Sequence, residues 1–131
     1  MYHVVLNSVE IGTTALESAD PPMGVVTGKV AFLPSISPFR LFRDHCQSHG
    51  ITLNNADPEN EFIDTHTIPE LHVFRADDVE IAGQGCSICG LRDEGYEVTI
   101  IFVPYPFYAE EFPHHRQDYD ERFKALEAVK K

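Results

Sequence analysis

The chain has 131 residues, 43% of them hydrophobic and 24% charged, the proportions of a single globular domain spanning 1–131 rather than a disordered, collagenous or membrane chain. Its 21 acidic side chains outweigh 10 basic ones, leaving a formal charge of −11. That balance argues against direct binding to nucleic-acid phosphates or an anionic membrane and leaves basic partners open.

The first residues, Met1 to Asn7, lack the basic and long apolar regions of a signal peptide. No apolar run approaches the roughly 18 residues that cross a bilayer. Three cysteines are too few for a disulfide scaffold, so a cytoplasmic chain with reduced thiols is expected.

Residues 2–11 are rich in Val, Leu and Ile and read as a first strand, with Val5, Val9 and Ile11 on one face. A loop through Asp20-Pro21-Pro22-Met23-Gly24 leads to a second strand over 24–33. There Val26, Gly28, Val30 and Phe32 alternate with Thr27, Lys29 and Ala31, and antiparallel pairing with the first strand is expected.

Ser37-Pro38 predicts a helix start, because Ser caps an orphan N–H and Pro at the first position has none to orphan. The helix runs from Pro38 to His49 and stops at Gly50, with Ile51 placed for the hydrophobic contact of a left-handed ending. Phe39, Phe42 and Cys46 share its buried stripe.

Asn54–Asn60 reads as a turn-rich loop and Glu61–Asp64 as a very short strand. Leu71–Arg75 and Val79–Ala82 read as one hairpin, and Cys86–Leu91 with Tyr96–Val103 as another that turns at Asp93-Glu94-Gly95. The run Val98–Val103 is nearly all apolar and predicts a central strand covered on both faces. Prolines 104, 106 and 113 keep the next segment out of regular structure, and Tyr119, Phe123, Leu126 and Val129 predict a second helix near 115–130. The expected fold is α+β: a mostly antiparallel sheet of five to seven strands, with two helices (38–49 and 115–130) packed on it.

Charge is concentrated in the middle of the chain. Residues 57–97 hold eleven acids and two bases, a net −9, while the flanking segments are each −1. Converging turns would make a negative patch that steers a basic partner; the plainer reading is a solvated face kept acidic for solubility. The expected contact residues are Asp77, Asp78, Glu80, Asp93 and Glu94. Tyr105 and Tyr108 join them from an aromatic loop whose rings gain contact area at little entropic cost, while Phe107 and Phe112 are expected to fill the core.

Cys86-Ser87-Ile88-Cys89-Gly90 has zinc-knuckle spacing, and Cys46 with His49, one helical turn apart, could complete a Cys3His shell. Two features oppose it: Cys46 falls on the core stripe, and in a regular strand Cys86 and Cys89 face opposite sides. His72 with the two cysteines lacks the general acid/base Glu of a zinc deaminase, since Phe74 stands in its place. No phosphate loop, nucleophile elbow or H-E-x-x-H occurs, so no catalytic residues are assigned. The sequence therefore predicts a non-enzymatic acidic protein that holds or inhibits a basic protein, as an immunity protein would, with no cofactor. The alternative is a small zinc-binding protein or zinc hydrolase built on Cys86 and Cys89.

Overall fold

In the computed structural model, which describes residues 1–20, 23–104 and 107–113, the run 2–11 is two strands instead of one. Tyr2–Leu6 (β1) folds back onto Val9–Thr14 (β2) about Asn7 and Ser8, which both hold positive φ, 51° and 69°. Leu6 pairs with Val9, so the loop has two residues, and left-handed backbone at both matches the twist of the flanking strands. No glycine marks this turn.

Ser18–Asp20 (β3) continues β2 along the same edge of Val25–Phe32 (β4). Thr14 pairs with Val30 and Ser18 with Thr27, so three residues, 15–17, oppose two, 28–29. The extra residue is accommodated at Leu16, fully buried with φ 48°, whose N–H donates to Thr14 Oγ1 at 3.2 Å. Such a bulge bends the sheet. It also explains Gly28, where a Cβ would lie 2.2 Å from Thr14 Oγ1 and 2.7 Å from the Leu16 backbone.

Pro38–His49 forms the expected helix (α1). Ser37 has the extended backbone of an N-cap but makes no side-chain cap bond, so Pro38 and the chain direction set this start. Gly50 ends the helix at φ 67°, and Ile51 N–H reaches back to the Cys46 carbonyl at 2.9 Å. Phe39, Phe42, His45 and Cys46 are its buried residues, and the Phe42 ring lies 6.2 Å from Phe32 of β4.

The remaining strands are Leu53–Asp57 (β5), Phe62–Thr65 (β6), Leu71–Phe74 (β7), Gly85–Leu91 (β8) and Gly95–Ile101 (β9), followed by a short helix at Phe107–Glu111 (α2). Nine strands form one sheet in the order β5-β6-β8-β9-β4-β2-β1-β7, with β3 also on β4, and every pairing is antiparallel. This exceeds the five to seven strands expected. The surplus comes from the split first strand, from β3, and from β5, whose Asn54-Asn55 reads locally as a turn.

The second arm of the 71–82 hairpin is no strand. Glu80 makes one isolated bridge to Phe74, and β7 takes β1 as its ladder partner. β9 is central, between β8 and β4, and its two faces differ: Tyr96, Val98 and Ile100 are buried, while Glu97 is exposed and Thr99 and Ile101 are half-buried. The helix expected near 115–130 lies outside the described residues.

The segment leading into β7 returns toward β8, where Ile68 N–H donates to the Cys86 carbonyl at 2.8 Å, so the sheet curls around a single core. From β8 to β7 the antiparallel steps reverse the strand sense. The turn after β8 and the turn after β7 therefore leave opposite ends of the sheet. Among the described residues no helix is long and apolar enough to cross a membrane.

Candidate functional site

The sheet ends divide the predicted acidic surface in two. At one end the β5–β6 turn, with Asp57, Glu59 and Glu61, lies against the β8–β9 turn, with Asp93 and Glu94. Arg92 joins them: its N–H donates to the Asn60 carbonyl at 3.3 Å, and its guanidinium is 3.4 Å from Glu61 and 3.6 Å from Asp93. The Tyr96 hydroxyl donates to the Glu61 carbonyl beneath. Asp64, Cys89, Glu97 and Lys29 follow as a cross-strand row on the outer face, since Asp64 pairs with Cys89, Cys89 with Glu97 and Glu97 with Lys29. Seven carboxylates here stand against Arg92 and Lys29, a net −5. Lys29 Nζ donates to the Glu94 carbonyl at 2.6 Å, leaving the exposed Glu94 carboxylate facing water.

Asp77, Asp78 and Glu80 belong to the other end. Arg75 grips Asp77 with two hydrogen bonds and reaches Glu111 of α2 with a third at 2.8 Å. The guanidinium pulls the Asp77 carboxyl down to about 2. The Tyr2 hydroxyl donates to the second Glu111 oxygen at 2.7 Å; burial, then this bond to a carboxylate, raises its pKa far above the ordinary range. Glu80 pairs with His72 at 3.1 Å. Asp78 is exposed at φ 66° in the turn.

Neither aromatic candidate adds to a described surface. Tyr108 is fully buried, with its hydroxyl donating to the Val25 carbonyl at 3.0 Å and its ring 5.5 Å from Phe112. The spacing of α2 turns it inward, so it is a core residue rather than a contact residue. Tyr105 lies outside the described residues.

The cysteines do not converge. Cys86 is on the inner face of β8, where burial and the nearby Glu80 push its thiol up to about 12. Cys89, three residues on, is exposed on the outer face. Cys46 is buried on α1, its thiol raised by burial and then by Glu70. All three are shifted away from the thiolate that metal binding and nucleophilic attack require.

A different group meets beside α1. His45 and His49 are one turn apart, and Glu70 comes from the connection between β6 and β7; one ligand atom from each lies within 4.8 Å of the others. His45 Nε2 donates to Glu70 Oε1 at 2.7 Å, and this bond holds the glutamate below its usual range. His49 Nδ1 is 3.0 Å from the His45 carbonyl. A carbonyl only accepts, so Nδ1 carries the proton and Nε2 of the neutral ring keeps its lone pair. The two rings stack at 4.0 Å.

An open groove of about 560 Å³ runs along the same side of α1, lined by His45 and His49 with Ser35, Arg40, Asp44 and Ser48. Of this trio the sequence offers only His49, as a ligand beside Cys46; the structure sets it with His45 and Glu70 instead. The i, i+4 histidine spacing is the one local signal for His45; Glu70 is distant in the chain and only the fold delivers it. The chain matches no protein-family model, no curated protein and no solved structure.

Proposed function

We propose that this chain is a non-enzymatic binding protein that holds a basic protein partner through the acidic rim formed by the β5–β6 and β8–β9 turns. This is the role of an inhibitor or immunity protein. The observation that carries it is the Arg92 junction, which joins the turn of Glu59 and Glu61 to the turn of Asp93 and Glu94 at one end of the sheet. A concentrated field of one sign steers an oppositely charged partner and speeds its encounter. The contact set is narrower than the sequence alone suggests, because Asp77, Asp78 and Glu80 stand at the other end of the sheet, where Arg75 pairs with Asp77 and His72 with Glu80. The zinc alternative on Cys86 and Cys89 has no comparable support.

The test begins with a partner captured from the cells that make this protein, then purified. Changing Glu59, Asp93 and Glu94 together to Lys is expected to slow association about 10-fold or more at low salt, with the loss shrinking as salt rises. Changing Asp78 to Lys is the control and leaves the rate within about twofold. Equal effects of the two variants, or association that ignores salt, would overturn the proposal.

A further inference from the structure

We infer that His45, His49 and Glu70 form a binding site for one divalent transition-metal ion, with zinc the best-matched ion, and that its remaining coordination position opens into the groove along α1. Two imidazoles and a carboxylate are a borderline-soft donor set suited to zinc and poorly suited to calcium or magnesium, which prefer oxygen ligands.

Helix geometry brings the two histidines together. Residues i and i+4 lie on one face, so His45 and His49 stack with ring centroids 4.0 Å apart. Glu70 already lies 2.7 Å from His45 Nε2, and a bound ion would take the place of the proton that His45 now donates to it, that proton leaving to solvent. Ligand atoms around a tetrahedral zinc ion sit roughly 3.3 Å apart, given metal–ligand distances of about 2.0–2.1 Å. Closing the present spread of up to 4.8 Å to this distance falls to His49, which is exposed, and Glu70, which is half-buried, since His45 is buried.

Support for the ligands is also in place. The His45 carbonyl accepts the His49 Nδ1 proton, fixing the tautomer that leaves Nε2 free to bind. Histidines that ligate metals are oriented in this way by a partner on the other nitrogen. Three protein ligands leave one position unfilled, the arrangement of a site that admits water or a small ligand. The groove beside the histidines, with Ser35, Arg40, Asp44 and Ser48, gives that position access to solvent.

The site shares no residue with the acidic rim, so it stands or falls independently of the binding function. The test is titration of full-length, tag-free protein with Co2+, read by the visible absorption of low-symmetry cobalt, and with Zn2+ by calorimetry and thermal unfolding. One ion per chain is expected, with a melting temperature that rises with zinc concentration. His49→Ala and Glu70→Gln should each weaken Zn2+ binding at least 10-fold while the apo proteins keep the wild-type circular dichroism.

Two controls separate other sources of binding. His72→Ala should leave affinity unchanged. A double change of His114 and His115 to Ala should also retain it. Absence of binding, equal affinity in His49→Ala, or loss of binding in the His114/His115 variant would each overturn the assignment.

Discussion

At the β7 end of the sheet, the carboxylates of Asp77 and Glu111 are held by Arg75, and Glu111 also takes the Tyr2 hydroxyl. At the β8–β9 end, Asp93 has one long contact to Arg92, and Glu94 meets lysine only through its backbone. The residue types are the same and the surroundings differ. Where a cation and a half-buried hydroxyl converge on an acid, the acid fastens one element to another; here it ties α2 to the start of β1 and the end of β7. Where acids crowd with few cations, they leave a field in solution. Position along the chain does not separate Asp77 from Asp93 and Glu94, since all three fall in the same acidic stretch.

The sharpest way to separate the ends is to remove a residue from each. Tyr108→Ala empties a fully buried ring site under α2 and strips the Val25 carbonyl of its donor. It should destabilise the protein by about 3–5 kcal/mol. Glu94→Ala, on the rim, should stay within about 0.5 kcal/mol of wild type. Urea unfolding of the two variants checks this; a rim variant as damaging as Tyr108→Ala would erase the distinction.

Acid provides a second, smaller contrast. Asp77 titrates at about 2 in the folded chain against an ordinary 3.8, because Arg75 stabilises its charged form. A depressed folded pKa adds stability that is complete above the ordinary value and is lost as pH falls through the folded one. Asp77→Asn should therefore be less stable than wild type near neutral pH, and the gap should close between about pH 4 and pH 2. The check is a series of urea midpoints across that range; a gap undiminished at pH 2 would show that the carboxylate's charge is not what Arg75 uses.

Much of this architecture is legible wherever the deciding chemistry is local. Pro38, the apolar stripe of Phe39 and Phe42, and Gly50 mark α1 from end to end, and the glycine-ended turn at 93–95 marks the β8–β9 hairpin. Misreadings arise where tertiary pairing overrides local preference. Asn7 and Ser8 adopt a left-handed turn that glycine would have advertised, and Asn54-Asn55 becomes strand because β6 lies beside it. The charge excess of 57–97 is plain in the sequence, but its division between two sheet ends follows from strand sense. Cys46 stands out in the sequence for its sulfur, while the neighbouring His45 acquires its partner only when the 66–70 connection places Glu70 beside it.

Cys89 probes the acidic face from within. It is exposed, and after burial itself, Asp64 and Glu97 are what raise its thiol pKa. Carboxylates on both sides disfavour the thiolate and repel an anionic reagent. A neutral alkylating agent should therefore label Cys89 in the folded protein, while Cys46 and Cys86 react only on unfolding. A dianionic disulfide reagent should be slower in low salt, and Glu97→Gln should accelerate it about twofold to fivefold, an advantage that fades as salt screens the remaining charges. If the variant accelerates both reagents equally, the thiol's ionisation governs the rate. If it accelerates only the dianion, the surface field does, which is the property the rim needs to draw in a basic partner.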